Sequence, residues 1–168
     1  AAEHEGVVPD LVTLAKGITG GYAPLGVVGM SRRLADHFTA SPYPGGLTYN
    51  SHPLCLAAAE ITLKILEEDG LIDRANELGK QLTAGLRELK ERHPSVATTR
   101  CRGLLGMIDL CRDSKGTPIA PFNGTHPVMD RFKACLLERG VYTAVRWSHV
   151  MITPPLVISE EQLKTALA

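Results

Sequence analysis

From Pro53 to Glu91 apolar residues recur at three- and four-residue intervals, and this run constrains the fold more than any other stretch. Leu54, Ala57, Ala58, Ile61, Ile65 and Leu66 make one helical stripe. Leu71, Ala75, Leu78, Leu82, Leu86 and Leu89 make a second, with Glu77, Lys80, Arg87, Glu88 and Glu91 mainly off it. Gly70 separates the two, and Pro53 suits a first helical turn, where a missing N–H costs nothing. A helix with one apolar stripe must bury it against another layer. After Pro94 the period changes to that of strands. Val96–Arg100 and Leu104–Leu110 read as two strands, with Leu104, Gly106, Ile108 and Leu110 on one face.

The remaining segments fill in a mixed chain. Leu11–Leu14 reads as a short strand, followed by Ala15-Lys16-Gly17 and a Gly20-Gly21 loop. Pro24–Met30 contains a second apolar run, Leu25 to Val28, and Ser31 is placed to cap a helix through about Phe38. A turn-rich stretch from Ser41 to Gly46 leads to a boundary near Thr48–Pro53. Beyond the two strands come a loop over Asp113–Thr125 and a helix over Pro127–Glu138 presenting Met129, Phe132 and Leu136. Val141–Val145 and Val150–Thr153 read as strands, and Ser159 with Gln162 forms a capping box at a last helix.

Composition excludes several classes. Eighteen basic residues balance eighteen acidic ones and are scattered, so neither nucleic acid nor an anionic membrane is expected as a partner. No stretch approaches the roughly 20 apolar residues of a membrane span. Cys55, Cys101, Cys111 and Cys135 form no C-x-x-C pair and read as buried, reduced thiols of a cytoplasmic protein. The six histidines show no spacing that suggests a metal site.

The chemistry concentrates in Pro9-Asp10-Leu11-Val12-Thr13-Leu14-Ala15-Lys16-Gly17-Ile18-Thr19-Gly20-Gly21-Tyr22-Ala23-Pro24-Leu25-Gly26. It sets a lysine at the end of a strand, ahead of glycine turns. A partly desolvated lysine amine becomes nucleophilic and can condense with an aldehyde. A lone lysine after a strand is ordinarily a surface residue, and spacing alone does not choose between the two. The wording of the segment does: it resembles the lysine segment of the class III aminotransferases, in which A-K-G and a following glycine run carry the lysine that holds pyridoxal phosphate.

The resemblance continues along the chain in order. Gly46-Leu47-Thr48-Tyr49-Asn50-Ser51-His52-Pro53-Leu54 looks like the family's second signature, which implies that Thr48 contacts the cofactor phosphate of a neighbouring subunit. Read alone, Thr48 is a turn-capping hydroxyl. Arg102-Gly103-Leu104-Leu105-Gly106-Met107 resembles a strand of the family's small C-terminal domain. Val141 to Trp147, then Ile152-Thr153-Pro154-Pro155-Leu156, resemble its last strands. In many members an arginine near that final motif receives the substrate carboxylate through a bidentate fork, which implies Arg146; the plainer alternative is a surface arginine.

The resemblance implies an α/β to α+β fold, the C-terminal part of a fold-type I pyridoxal-phosphate-dependent transferase. Residues 1–52 are then a remnant of the large cofactor-binding domain, and 53–168 the linking helix and small domain. The implied activity moves an amino group from an ω-amino acid or amine to a 2-oxo acid such as pyruvate, with pyridoxal 5'-phosphate as cofactor. Dimers or other homo-oligomers are implied as the assembly. The family's acidic partner for the pyridine nitrogen, its upstream phosphate loop and its ring-stacking aromatic have no counterpart here; the sequence is expected to begin just after the strand that bears the acid. The alternative is a non-catalytic, truncated remnant that folds and self-associates through exposed strands.

Overall fold

The computed structural model describes residues 2–168. They form two compact units, one up to Asp69 and one from Gly70 onward.

The first unit contains strands β1 (Leu11–Leu14) and β2 (Val27–Met30), then helices α1 (Arg32–Ala40) and α2 (Pro53–Glu68). β1 and β2 pair antiparallel, Leu11 opposite Met30 and Leu14 opposite Val27. The second strand is as long as the apolar run but lies two residues further on, with Leu25 and Gly26 before the ladder. Ser31 begins α1, but its hydroxyl does not cap the helix. It bonds the Asp10 carboxylate instead, at 2.9 Å, and Arg33 meets the same carboxylate at 3.0 Å. Both contacts are exposed, so each contributes little to stability.

Helix α2 departs from the expected burial. The stripe of Leu54, Ile61 and Ile65 is exposed rather than buried. The face turned inward carries smaller residues: Ala59 is buried and Cys55, Ala58, Thr62 and Leu66 are half-buried. That face packs on the turn Lys16–Thr19, whose Gly20 lies against Thr62. Helical periodicity locates apolar positions; it does not say which side of an apolar helix has a neighbour.

The second unit holds the core. Helix α3 (Leu71–Arg92) lies against strands β3 (Val96–Arg102) and β4 (Leu105–Leu110). Helix α4 (Pro127–Glu138) precedes the short strands β5 (Ala144–Arg146) and β6 (His149–Ile152), and α5 (Glu160–Leu167) packs back on α3. The four strands form one antiparallel sheet in the order β3-β4-β6-β5. β5 is shorter than expected, with Val141 to Thr143 outside the ladder, and β6 begins one residue earlier than expected. Leu78, Leu82 and Leu86 from α3 meet Leu104, Ile108, Leu110 and Val150 from the sheet, with Met129 and Leu163 completing the cluster. The anticipated alternation in β4 is observed: Gly106, Ile108 and Leu110 are buried, while Met107 and Asp109 lie on the other face. The capping box is present in full, Ser159 Oγ accepting from the Gln162 amide at 3.1 Å and Gln162 Oε1 from the Ser159 amide at 2.9 Å. All four cysteines are free thiols, but only Cys111 is fully buried.

One close approach sets the distance between helix and sheet. A Cβ on Gly79 of α3 would stand 2.5 Å from the Gly103 Cα and 2.6 Å from its carbonyl oxygen. Gly103 itself turns the β3–β4 hairpin with φ +53°. Both contacts are backbone, so no side chain can swing aside. Gly79→Ala is therefore expected to destabilise the second unit by about 1–3 kcal/mol, the usual range for overpacking. Urea unfolding followed by emission of Trp147, the only tryptophan, checks this; an unchanged midpoint would contradict the packing described.

Candidate active site

Lys16 sits where β1 ends. Ala15 is fully extended (φ −159°, ψ −175°), and Lys16 then turns into the left-handed region with φ +59°. For a residue with a Cβ this conformation costs roughly 1–2 kcal/mol. The next residue, Gly17, could adopt it freely. The turn is held from below by Thr19, which is almost fully buried, its hydroxyl 2.6 Å from the Ala23 carbonyl oxygen and 3.3 Å from that of Lys16. Gly20 closes the turn by donating to the Gly17 carbonyl. The strained backbone is thus fixed by neighbours, while the Lys16 side chain is exposed and has no hydrogen-bond or ion-pair partner among the described residues.

Thr48 lies in the turn just before α2, where Asn50 donates to the Leu47 carbonyl and Ser51 has φ +56°. It is exposed, and its hydroxyl has no partner among the described residues. It therefore does not act as a turn cap. Tyr49 stacks on His52 at 5.7 Å between ring centroids, with the planes 30° apart.

Arg146, in the second unit, ends β5 at a two-residue hairpin, Trp147-Ser148. Trp147 takes φ +55°. Ser148 is buried and bonds Ala120 both ways, accepting from its amide at 2.8 Å and donating to its carbonyl at 3.1 Å. Its own carbonyl accepts from the Leu110 amide at 2.7 Å. The Arg146 guanidinium carbon lies 4.7 Å from the Trp147 ring centroid, and the group meets no carboxylate among the described residues.

Sequence reasoning missed Asp109 and His149. They face one another across β4 and β6, Oδ1 to Nδ1 2.6 Å. Arg100 Nη2 reaches both Asp109 oxygens, at 2.9 and 2.8 Å, and the Thr98 hydroxyl also bonds this carboxylate. Partial burial pushes the Asp109 carboxyl up, but the hydrogen bonds from Thr98 and His149 and the charge of Arg100 outweigh it. The net effect holds the carboxyl below the ordinary carboxylate range. An ionised carboxylate only accepts, so Nδ1 of His149 carries the proton between them. The signal available in the sequence was strand alternation, which sets Asp109 opposite the apolar face of β4.

As parts of a cofactor site, Lys16 and Thr48 offer an amine and a hydroxyl unpaired among the described residues of the same unit, and a Cβ at Gly17, Gly21 or Gly26 would meet nothing within 4 Å. An amine and a hydroxyl without protein partners fit an aldehyde-bearing phosphate ester. Asp10, the carboxylate nearest Lys16 in the sequence of this segment, is taken by Ser31 and Arg33.

The sequence model of the family described as Aminotransferase class-III matches residues 1–168. The 5-aminovalerate aminotransferase of Pseudomonas putida is 36% identical over 171 residues, covering 100% of this chain and 38% of that protein. The 4-aminobutyrate aminotransferase of Escherichia coli is 36% identical over 172 residues, covering 99% of this chain and 38% of that protein. Among solved structures, the taurine:2-oxoglutarate aminotransferase from Bifidobacterium kashiwanohense, in complex with PLP and glutamate, superposes with a TM-score of 0.91 at 34% identity, over 99% of this chain and 37% of that one. The chain thus spans well under half the length of the proteins it matches.

The Asp109 shift has a consequence for stability. A carboxyl whose folded pKa is depressed stabilises fully above its unfolded value, about 3.9, and that contribution is lost as pH falls through the folded value. Asp109→Asn should therefore lose stability at neutral pH and flatten the acid limb of the profile below about pH 4. Urea unfolding at stepped pH tests this; parallel acid limbs for both proteins would contradict the assignment.

Proposed function

The chain belongs to the class III aminotransferases, and on that premise we propose that it is the lysine-bearing part of an enzyme that moves an amino group from an ω-amino acid or amine to a 2-oxo acid such as pyruvate. The observation that carries the reading is Lys16. It is a non-glycine residue held in a left-handed turn at a strand end, with its amine left unpaired. Strain of this kind persists where surrounding structure enforces it, and it clusters at working sites. The specificity for ω-amino donors draws support from the 5-aminovalerate and 4-aminobutyrate enzymes among the relatives.

Pyridoxal 5'-phosphate, when bound, supplies an electron sink for the carbon that carries the amino group. Lys16 Nζ would hold the cofactor, and its amine is the base that would take the proton from that carbon and return one to the acceptor. Thr48 donates its hydroxyl to the phosphate; its exposed position in this chain suits a phosphate reached from a neighbouring subunit. Arg146 takes the substrate carboxylate with its free guanidinium donors. Residues 1–52 correspond in this reading to the end of the large domain, and 53–168 to the linking helix and small domain. The assembly is a homo-oligomer and the compartment the cytoplasm. No helix among the described residues is long and apolar enough to cross a membrane.

The test is amino transfer by the full chain supplied with pyridoxal phosphate, a 15N-labelled ω-amino acid and pyruvate, read as 15N-alanine by mass spectrometry. Labelled alanine is expected, falling by at least about 100-fold in Lys16→Ala, the usual scale for a lost general base. Thr48→Ala should raise the cofactor concentration needed by about tenfold, as for one lost hydrogen bond to a charged group. Transfer that survives in Lys16→Ala would refute the role of Lys16. No transfer by the unaltered chain would leave the non-catalytic remnant as the reading for this polypeptide.

A further inference from the structure

The strand registers place Thr98 opposite Asp109, Asp109 opposite His149, and His149 opposite Arg146. Directly opposed residues share a face, so these four form one row across the whole sheet, with Arg146 at its end. The face is the one turned away from the Leu78–Leu82–Leu86 core, since Ile108 and Val150, the next residues along, are buried on the other side. The links of the row are made by chemistry. Thr98 and Arg100 bond the Asp109 carboxylate, Asp109 bonds His149, and the His149 ring meets Trp147 edge-on at 6.0 Å. Phe122 closes on Trp147 at 4.4 Å, and the Arg146 guanidinium lies over the same indole ring.

We propose that Asp109 and His149 are positioning residues that set the Arg146 guanidinium for a substrate carboxylate; this rests on the reading of Arg146 given above. Three features support it. First, β5 has three residues, lies at the sheet edge and pairs only with β6. An arginine at the end of such a strand has little backbone support for a fixed direction. Its direction follows the Trp147 ring beneath it, and that ring is bounded by Phe122 and by His149. Second, the imidazole can bound the ring only while its own angle is fixed, and Asp109 at 2.6 Å fixes it. Third, the row removes a competitor. Asp109 is the one carboxylate in the row, and a bare Asp109 would draw Arg146 inward across the sheet. Arg100, Thr98 and His149 occupy its oxygens, and His149 stands between it and Arg146. The guanidinium keeps its donors without a protein carboxylate, as a bidentate fork requires.

The experiment uses the isotopically labelled full chain and two readouts. The δ-methylene protons of Arg146 report its place over the indole by their upfield ring-current shift. Titration with pyruvate, followed at the Arg146 Nε–H, reports carboxylate binding. In Asp109→Asn and in His149→Phe the ring-current shift is expected to fall by half or more, and the pyruvate dissociation constant to rise about tenfold. In the unaltered chain the shift should also decline as pH falls through the depressed range of Asp109, with Arg100, Thr98 and His149 as the groups facing that carboxyl. In Asp109→Asn it should stay flat. An unchanged shift and equal pyruvate affinity in both variants overturn the row while leaving the role of Arg146 intact. No pyruvate response in the unaltered chain, with the same result in Arg146→Ala, overturns the role of Arg146 and the positioning proposal with it. Thr98→Val, which removes one bond to Asp109 and keeps the strand, is the fallback if either variant fails to fold. It should lose part of the shift, and an unchanged shift there also overturns the proposal.

Discussion

The second unit depends on the close seating of α3 on the β3–β4 hairpin. Gly79 and Gly103 let two backbones nearly touch, and this brings Leu78, Leu82 and Leu86 within reach of Leu104, Ile108 and Leu110. Leu82 is fully buried and Leu86 nearly so. A sheet packed this tightly on one face leaves its other face to carry polar work. The Thr98–Asp109–His149–Arg146 row occupies that other face.

The first unit has no comparable core. Apart from Thr19, its only fully buried residue among those described is Ala59. Leu11, Val12 and Leu14 are all exposed on β1, as are Leu54, Ile61 and Ile65 on α2. Apolar surface of this kind gains about 25 cal/mol per Å2 when covered, so it favours a partner layer. The proteins this chain resembles are far longer than the part it matches, which accords with a surface built for further neighbours. Lys16 sits in this unit. Its backbone is already bent into a costly conformation, and its side chain is exposed with the amine unpaired among the described residues.

Much of the architecture was legible from the sequence, because periodicity and end signals report local forces. The α3 stripe, the alternation in β4, the capping box at Ser159 and the strand before Lys16 all follow from residues within one turn or one strand. What was not legible depended on distant neighbours. Nothing local tells α2 that its small-residue face, not Leu54, Ile61 and Ile65, meets the Lys16 turn. Ser31 read as a cap, but a carboxylate twenty-one residues earlier, Asp10, claimed its hydroxyl. The Asp109–His149 contact joins residues forty apart and follows from strand order, which periodicity does not give. The motif around Lys16 was legible for a different reason: its wording resembles a family, and the family model then matched the whole chain. The exposure of Thr48 and the stacking of Arg146 on Trp147 depend on the folded surroundings and have no local signal.

If Lys16 carries the amine that meets an aldehyde cofactor, it should react with that cofactor ahead of every other lysine in the chain. The most direct measurement is to incubate the full chain with limiting pyridoxal phosphate, reduce with borohydride, and map the pyridoxyl group by peptide mass spectrometry. Lys16 is expected to be modified first, and Thr48→Ala to slow its modification. Label spread over Lys64, Lys80, Lys90, Lys115, Lys133 and Lys164 as readily as over Lys16 would contradict it.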